Sequence, residues 1–151
     1  MTHKGTCVLL AAALAVGAGC RSAKFSPAGF QLPADGNVEK GKQAFVALGC
    51  PSCHQLNGTE LDRNGAQSAS PVMLGGDVVH RFSDGYLVTS MIHPNHQLAA
   101  YPNAQITDNG VSRMPSYADR MTVRQMIDIV AFLQANYQER TTPPSYTPMT
   151  P

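Results

Sequence analysis

Apolar residues recur at helical spacing in three separate stretches of the 151-residue chain. The first stretch runs from Val38 to Leu48 and stops at Gly49, a residue typical of helix ends. The second runs from Ser83 to His93, where Pro94 ends it, and the third and strongest runs from Thr122 to about Tyr137. No stretch alternates apolar and polar residues well enough to predict a strand. The pattern therefore predicts an all-α fold.

The two ends of the chain differ from its middle. Residues 1–19 combine Lys4 with an apolar run and several small residues, which is typical of a signal peptide. The apolar run is too short to span a bilayer comfortably, and no other segment comes near the required length. Residues 20–36 are interpreted as a tether, and residues 139–151, which are rich in Pro, as a disordered tail. One folded domain, residues 37–138, remains.

The end of the signal peptide suggests a lipid anchor. Its sequence Gly17-Ala18-Gly19-Cys20 resembles a bacterial lipobox, although that motif prefers an aliphatic residue where Gly17 stands. Cys20 would then be lipidated and become the new N-terminus, and ordinary cleavage after Ala18 or Gly19 is the alternative. Either route exports the protein, which we expect in the periplasm and tethered to a membrane by Cys20.

Charge excludes one class of function. A chain that begins at Cys20 has ten Lys and Arg residues and ten Asp and Glu residues. Because nucleic-acid binding usually needs a basic excess, we expect no nucleic-acid partner. Membrane contact is expected only through the N-terminal lipid.

Two of the four cysteines belong to the domain, and they lie in the sequence Cys50-Pro51-Ser52-Cys53-His54. Three interpretations compete: a disulfide or thiol redox pair, half of a zinc site, and covalent attachment of haem c. Zinc would need two further ligands at finger-like spacing, and a redox pair does not need the histidine. Attachment explains all three side chains, because two such thiols can reach the two vinyl groups of one porphyrin while His54 approaches the iron. The predicted cofactor is therefore one covalent haem c.

An iron bound by His54 has a second axial position, whose occupant decides between electron transfer and chemistry on a bound ligand. Met114 is the strongest candidate, because it precedes Pro115 in a turn-rich segment and a loop can carry a thioether to the iron. We expect the other methionines to fill the core and the other histidines of the domain to be exposed. These weaker candidates are Met73, Met91, Met121, Met126, Met149, His80, His93 and His96.

With the CxxCH element followed by a late Met-Pro, roughly residues 37–138 resemble a bacterial class I cytochrome c. The resemblance implies a small fold of about three to five helices wrapped around one haem, with N- and C-terminal helices that cross nearly at right angles. It places Gly41 and Phe45 of the first helix against Ile129 and Phe132 of the last. It also implies a proline whose carbonyl accepts the imidazole proton of His54, and Pro71 is its counterpart here.

The resemblance further implies an electron carrier and not an enzyme. Such a protein moves single electrons between membrane or periplasmic redox partners through His54 and Met114 on the iron, either alone or as a subunit of a larger oxidoreductase. The alternative is a haem enzyme or ligand-binding subunit whose distal iron position is open or labile, with a histidine such as His93 as the acid or base.

Overall fold

The computed structural model describes residues 30–63, 65 and 67–140. The described residues from Gln31 onward belong to one compact unit. The expected signal peptide, Cys20 and the Pro-rich tail from residue 141 lie outside the described residues, as does Met149. Within the described part, no helix is both long enough and apolar enough to cross a membrane.

The three predicted helices are present with bounds close to those expected. Helix α1 spans Val38–Ala47, α2 spans Asp84–Ile92 and α4 spans Val123–Asn136, and a short helix α3, Asn103–Ile106, was not predicted. Each long helix begins at a side chain that accepts a backbone hydrogen bond: Asn37, Ser83 and Thr122. At α4 the side chains of Thr122 and Gln125 form a capping box.

The structure also contains short strands, so the domain is helical but not purely all-α. Strands β1 (His54–Leu56) and β2 (Val72–Leu74) pair in parallel, as do β3 (Gly76–Val78) and β6 (Tyr137–Glu139). Strands β4 (Thr107–Asp108) and β5 (Val111–Ser112) form an antiparallel hairpin. Each strand has only two or three residues, too few for an alternating pattern to show in the sequence.

Helices α1 and α4 pack together at the centre of the domain. The rings of Phe45 and Phe132 meet edge to face with their centroids 5.8 Å apart, and Ile129 is 1% exposed in the same core. Gly41 approaches the side chain of Phe132. This is the helix contact that the resemblance implies. Phe45 of α1 and Ile129 of α4 also line a cavity beside the contact.

Candidate functional site

A cavity of about 650 Å³ lies within the domain and is lined by residues from all four helices or the segments that flank them. Its volume falls in the usual range of small-molecule sites, about 300 to 1,000 Å³. Most of its lining side chains are apolar. Four residues that the sequence singled out, Cys50, Cys53, His54 and Met114, all line it.

The backbone turn at the end of α1 places Cys50, Cys53 and His54 at the cavity wall. Gly49 follows the helix in the left-handed conformation, with φ of 76°, which a residue without a Cβ adopts at little cost. A short 3₁₀ helix then spans Cys50–Ser52, and Pro51 in its first turn is buried. The peptide N–H of Cys53 donates to the carbonyl of Cys50 across 3.2 Å. This tight turn brings both thiols to the same cavity wall.

Burial sets the protonation of two of these groups. Burial raises the pKa of the Cys50 thiol to about 11, so the free thiol is protonated at neutral pH. Burial also lowers the pKa of His54, and the backbone at Val72 partly opposes this shift. His54 is therefore neutral at physiological pH, which is the form in which an imidazole binds a metal.

The structure shows no hydrogen bond between His54 and the carbonyl of Pro71. His54 pairs with Val72 in the β1–β2 register, and the N–H of Val72 donates to the carbonyl of Cys53 across 2.9 Å. Nδ1 of His54 is buried and has no hydrogen-bond partner among the described residues. Pro71 itself does not line the cavity. The Pro71 hydrogen bond therefore stays a prediction.

Met114 lies sixty residues after His54 in the sequence, just after the β4–β5 hairpin. It is half-buried, and its N–H donates to Oγ of Ser112 across 3.2 Å. Three other methionines share the cavity wall: Met73, Met91 and Met121. His80, His93 and His96 do not line the cavity, so among the described lining residues His54 is the one histidine. Of the candidates for a second axial position, these methionines line the cavity and these three histidines do not.

Two lining residues that sequence reasoning did not single out flank Met114. Arg113 is the one Arg, Lys, Asp or Glu among the described lining residues, and its Nε donates to the carbonyl of Thr107 across 3.1 Å. Tyr117 also lines the cavity. Arg113 directly precedes Met114 and Tyr117 follows it by three residues, and this closeness to the candidate ligand was the only sequence signal for either residue.

The residues present fit a covalently attached haem. The cavity offers an apolar wall to a porphyrin, two thiols at attachment spacing, and a neutral imidazole directly after them. Met114 lines the same cavity.

Comparison with known families agrees with this chemistry. The family described as Cytochrome c matches residues 38–136, well over half of the chain. The chain belongs to the cytochrome c family. Its cofactor is haem c, bound covalently and carrying iron, and proteins of this family are typically electron carriers, usually outside the cytoplasm. No curated protein and no solved structure matches the chain.

Proposed function

We propose that this chain is a single-haem electron carrier of the periplasm, with His/Met-ligated iron. Cys50 and Cys53 hold the haem through thioether bonds, His54 is the proximal ligand, and Met114 is the distal ligand. The observation that carries the proposal is the position of these four side chains on the wall of one apolar cavity. They come from two segments that lie about sixty residues apart in the sequence.

The protein residues set the environment in which the one-electron chemistry of the iron takes place. Apolar side chains such as Leu87, which is 6% exposed and lines the cavity, exclude water and disfavour the extra charge of the ferric state. The thioether of Met114 is a soft ligand that favours the ferrous state. Both effects raise the reduction potential. With His54 and Met114 both holding the iron, the protein would supply both axial ligands, and we would expect little reorganisation between the two redox states.

The exposed edge of the cavity suggests how partners dock. Met73 is 48% exposed and Phe82 is 40% exposed, and both line the cavity. A chain that begins at Cys20 has ten Lys and Arg residues and ten Asp and Glu residues, so long-range electrostatic steering is weak. We propose that redox partners approach through short-range contact with this apolar edge. The donor and the acceptor are redox proteins.

The optical spectrum of the haem-loaded ferric protein tests the axial ligand. We expect wild type to show the weak red-edge band that arises from thioether sulfur bound to iron. Met114→Ala should lose this band and gain affinity for an added ligand such as imidazole, because it empties the distal position.

Met121→Ala is the matched control, since Met121 also is half-buried and lines the cavity. It should keep the band. If the band vanishes in Met121→Ala and survives in Met114→Ala, the assignment of the ligand is wrong. If wild type has no such band and binds imidazole freely, the iron is open and a ligand-binding or enzymatic function replaces the electron carrier.

We also propose that lipid on Cys20 tethers the protein to a membrane. The support is the lipobox-like sequence alone, because Cys20 lies outside the described residues. Mass spectrometry of the mature protein should show a lipidated N-terminal cysteine, and Cys20→Ser should move the protein from the membrane fraction to the soluble fraction. A mature N-terminus without lipid would contradict this proposal.

A further inference from the structure

The segment after Met114, residues 115–117, forms hydrogen bonds with the ends of two different helices. The N–H of Tyr117 donates to the carbonyl of Met91 across 2.9 Å, and Oγ of Ser116 donates to the carbonyl of Ile92 across 2.6 Å. Both acceptors belong to the last turn of α2. Because the last carbonyls of a helix have no partner within it, these bonds satisfy groups that would otherwise need water.

The third attachment joins the same segment to the end of α1. The hydroxyl of Tyr117 donates to the carbonyl of Leu48 across 3.1 Å, between residues that lie 69 positions apart. Leu48 is the C-cap of α1, two residues before Cys50. One hydrogen bond thus connects the segment that follows Met114 with the segment that precedes the first attachment cysteine.

We infer that Tyr117 is a positioning residue, whose hydroxyl holds the Met114 segment closed over the cavity. The inference rests on the proposed role of Met114 as the distal ligand. The segment opens and closes locally, as loops of low local stability do, and the bond to Leu48 is broken in the open form. Removing this bond therefore raises the population in which Met114 is away from its place.

The hydroxyl and the ring of Tyr117 have separable roles. The ring lines the cavity and packs there, which phenylalanine would do equally well. The N–H bond to Met91 is made by the backbone and survives any substitution that keeps the fold. Tyr117→Phe consequently removes the bond to Leu48 and leaves the other two attachments in place.

Binding of imidazole to the haem-loaded ferric protein measures the opening, because an external ligand can enter only when Met114 has left. We expect Tyr117→Phe to bind imidazole about three- to tenfold more tightly than wild type, the factor that corresponds to one typical hydrogen bond. The thioether band should persist in this variant at neutral pH, since Met114 remains the major ligand.

Thr59→Val is the matched control. Oγ1 of Thr59 donates to Oδ1 of Asn136 across 2.9 Å, a bond between residues 77 positions apart, and Thr59 does not line the cavity. Its loss should lower global stability by a similar amount, measured by urea unfolding, while imidazole affinity stays at the wild-type value.

The two variants and the wild-type spectrum test the positioning role of Tyr117 separately from the ligand role of Met114. Unchanged imidazole binding in Tyr117→Phe overturns the inference while the proposed ligand stands. Equal tightening in Thr59→Val also overturns it, because the effect would then follow global stability. If wild type itself lacks the thioether band, Met114 is not the ligand, and the proposed function and the inference fail together in a way that the first spectrum reveals.

Discussion

Gly41 of α1 lies against the backbone carbonyl of Asp128 in α4, so closely that a Cβ on Gly41 would overlap that oxygen and stand 2.8 Å from Cβ of Phe132. No flexible side-chain end is involved at the nearest contact, so the two helices would have to separate to admit even a methyl group. The close approach of the helices depends on this glycine.

Gly41→Ala should therefore lower the free energy of unfolding by about 3 kcal/mol or more, because the added methyl overpacks a helix contact against backbone. Urea unfolding of the haem-loaded protein measures the change. Gln43→Ala serves as a control on the same helix, since Gln43 is exposed, and its effect should stay within about 0.5 kcal/mol. A mild effect of Gly41→Ala would contradict the tight approach of α1 and α4.

Two carboxylates near Arg124 should differ in their importance. Asp128 is 4% exposed, and its Oδ1 accepts the N–H of Asn37, the N-cap of α1, across 2.8 Å. Asp35 forms an exposed ion pair with Arg124 at 3.2 Å. Removing the buried acceptor leaves a partly buried N–H without its partner, whereas the exposed pair is well solvated.

Asp128→Ala should consequently cost about 1 to 3 kcal/mol of unfolding free energy, and Asp35→Ala should change it little. Both variants remove one carboxylate beside the guanidinium of Arg124. A difference between their unfolding free energies therefore reports the buried hydrogen bond to Asn37 and not the loss of a negative charge. Urea unfolding at neutral pH is the measurement. Equal losses would mean that the ion pair with Arg124, and not the cap of α1, is the important contact.

The three long helices were predictable from the sequence because each has an apolar repeat over more than two turns and a recognisable cap, which the four-residue α3 lacks. Thr122 and Gln125, for example, form the capping box that their spacing predicts. The strand pairs were not predictable, since strands such as β4 have two residues and owe their pairing to turns and tertiary contacts. The Asn109-Gly110 turn, with both φ values positive, was the one local hint of that hairpin.

The site residues that lie next to one another in the sequence were predictable. Contacts that the fold makes between distant residues were not. Cys50, Cys53 and His54 are adjacent, so their shared chemistry is visible in the sequence. The link from Tyr117 to Leu48 joins distant residues through a hydroxyl and a backbone carbonyl, for which no sequence signal exists. Pro71 does not line the cavity although Ser70 and Val72 on either side of it do, and no sequence signal separates these three residues.

Stability should fall at alkaline pH through Tyr137. This residue is 2% exposed, and burial raises the pKa of its hydroxyl above the ordinary value of 10.0, although the backbone at Gly75 partly opposes the shift. The unfolded chain releases this proton more readily than the folded protein does. The stabilising contribution is therefore complete below about pH 10 and is lost as the pH rises from there toward the folded-state pKa.

Urea unfolding of the haem-loaded protein across this pH range tests the assignment. We expect the free energy of unfolding to fall less steeply above about pH 10 in Tyr137→Phe than in wild type, because phenylalanine has no proton to release. The comparison concerns the slope with pH, so any constant effect of the substitution cancels. Identical slopes would show that Tyr137 does not contribute to the alkaline loss.

Electron self-exchange between ferric and ferrous copies should depend on the apolar edge of the cavity and little on salt. Because a chain that begins at Cys20 has ten Lys and Arg residues against ten Asp and Glu residues, we expect the wild-type rate to change less than about twofold between low and physiological ionic strength. Met73→Glu places a carboxylate at the exposed edge of the cavity, where two copies that meet edge to edge would repel each other. This variant should exchange about three- to tenfold more slowly at low salt.

Val123→Glu is the matched control for self-exchange. Val123 is 69% exposed at the start of α4 and does not line the cavity, so this variant has the same net charge as Met73→Glu with the carboxylate elsewhere. Magnetisation-transfer NMR on mixtures of the two redox states measures both rates, and Val123→Glu should stay near wild type. Equal slowing in both variants would indicate that net charge governs the encounter, and a steep salt dependence of wild type would place the docking surface at a charged region instead.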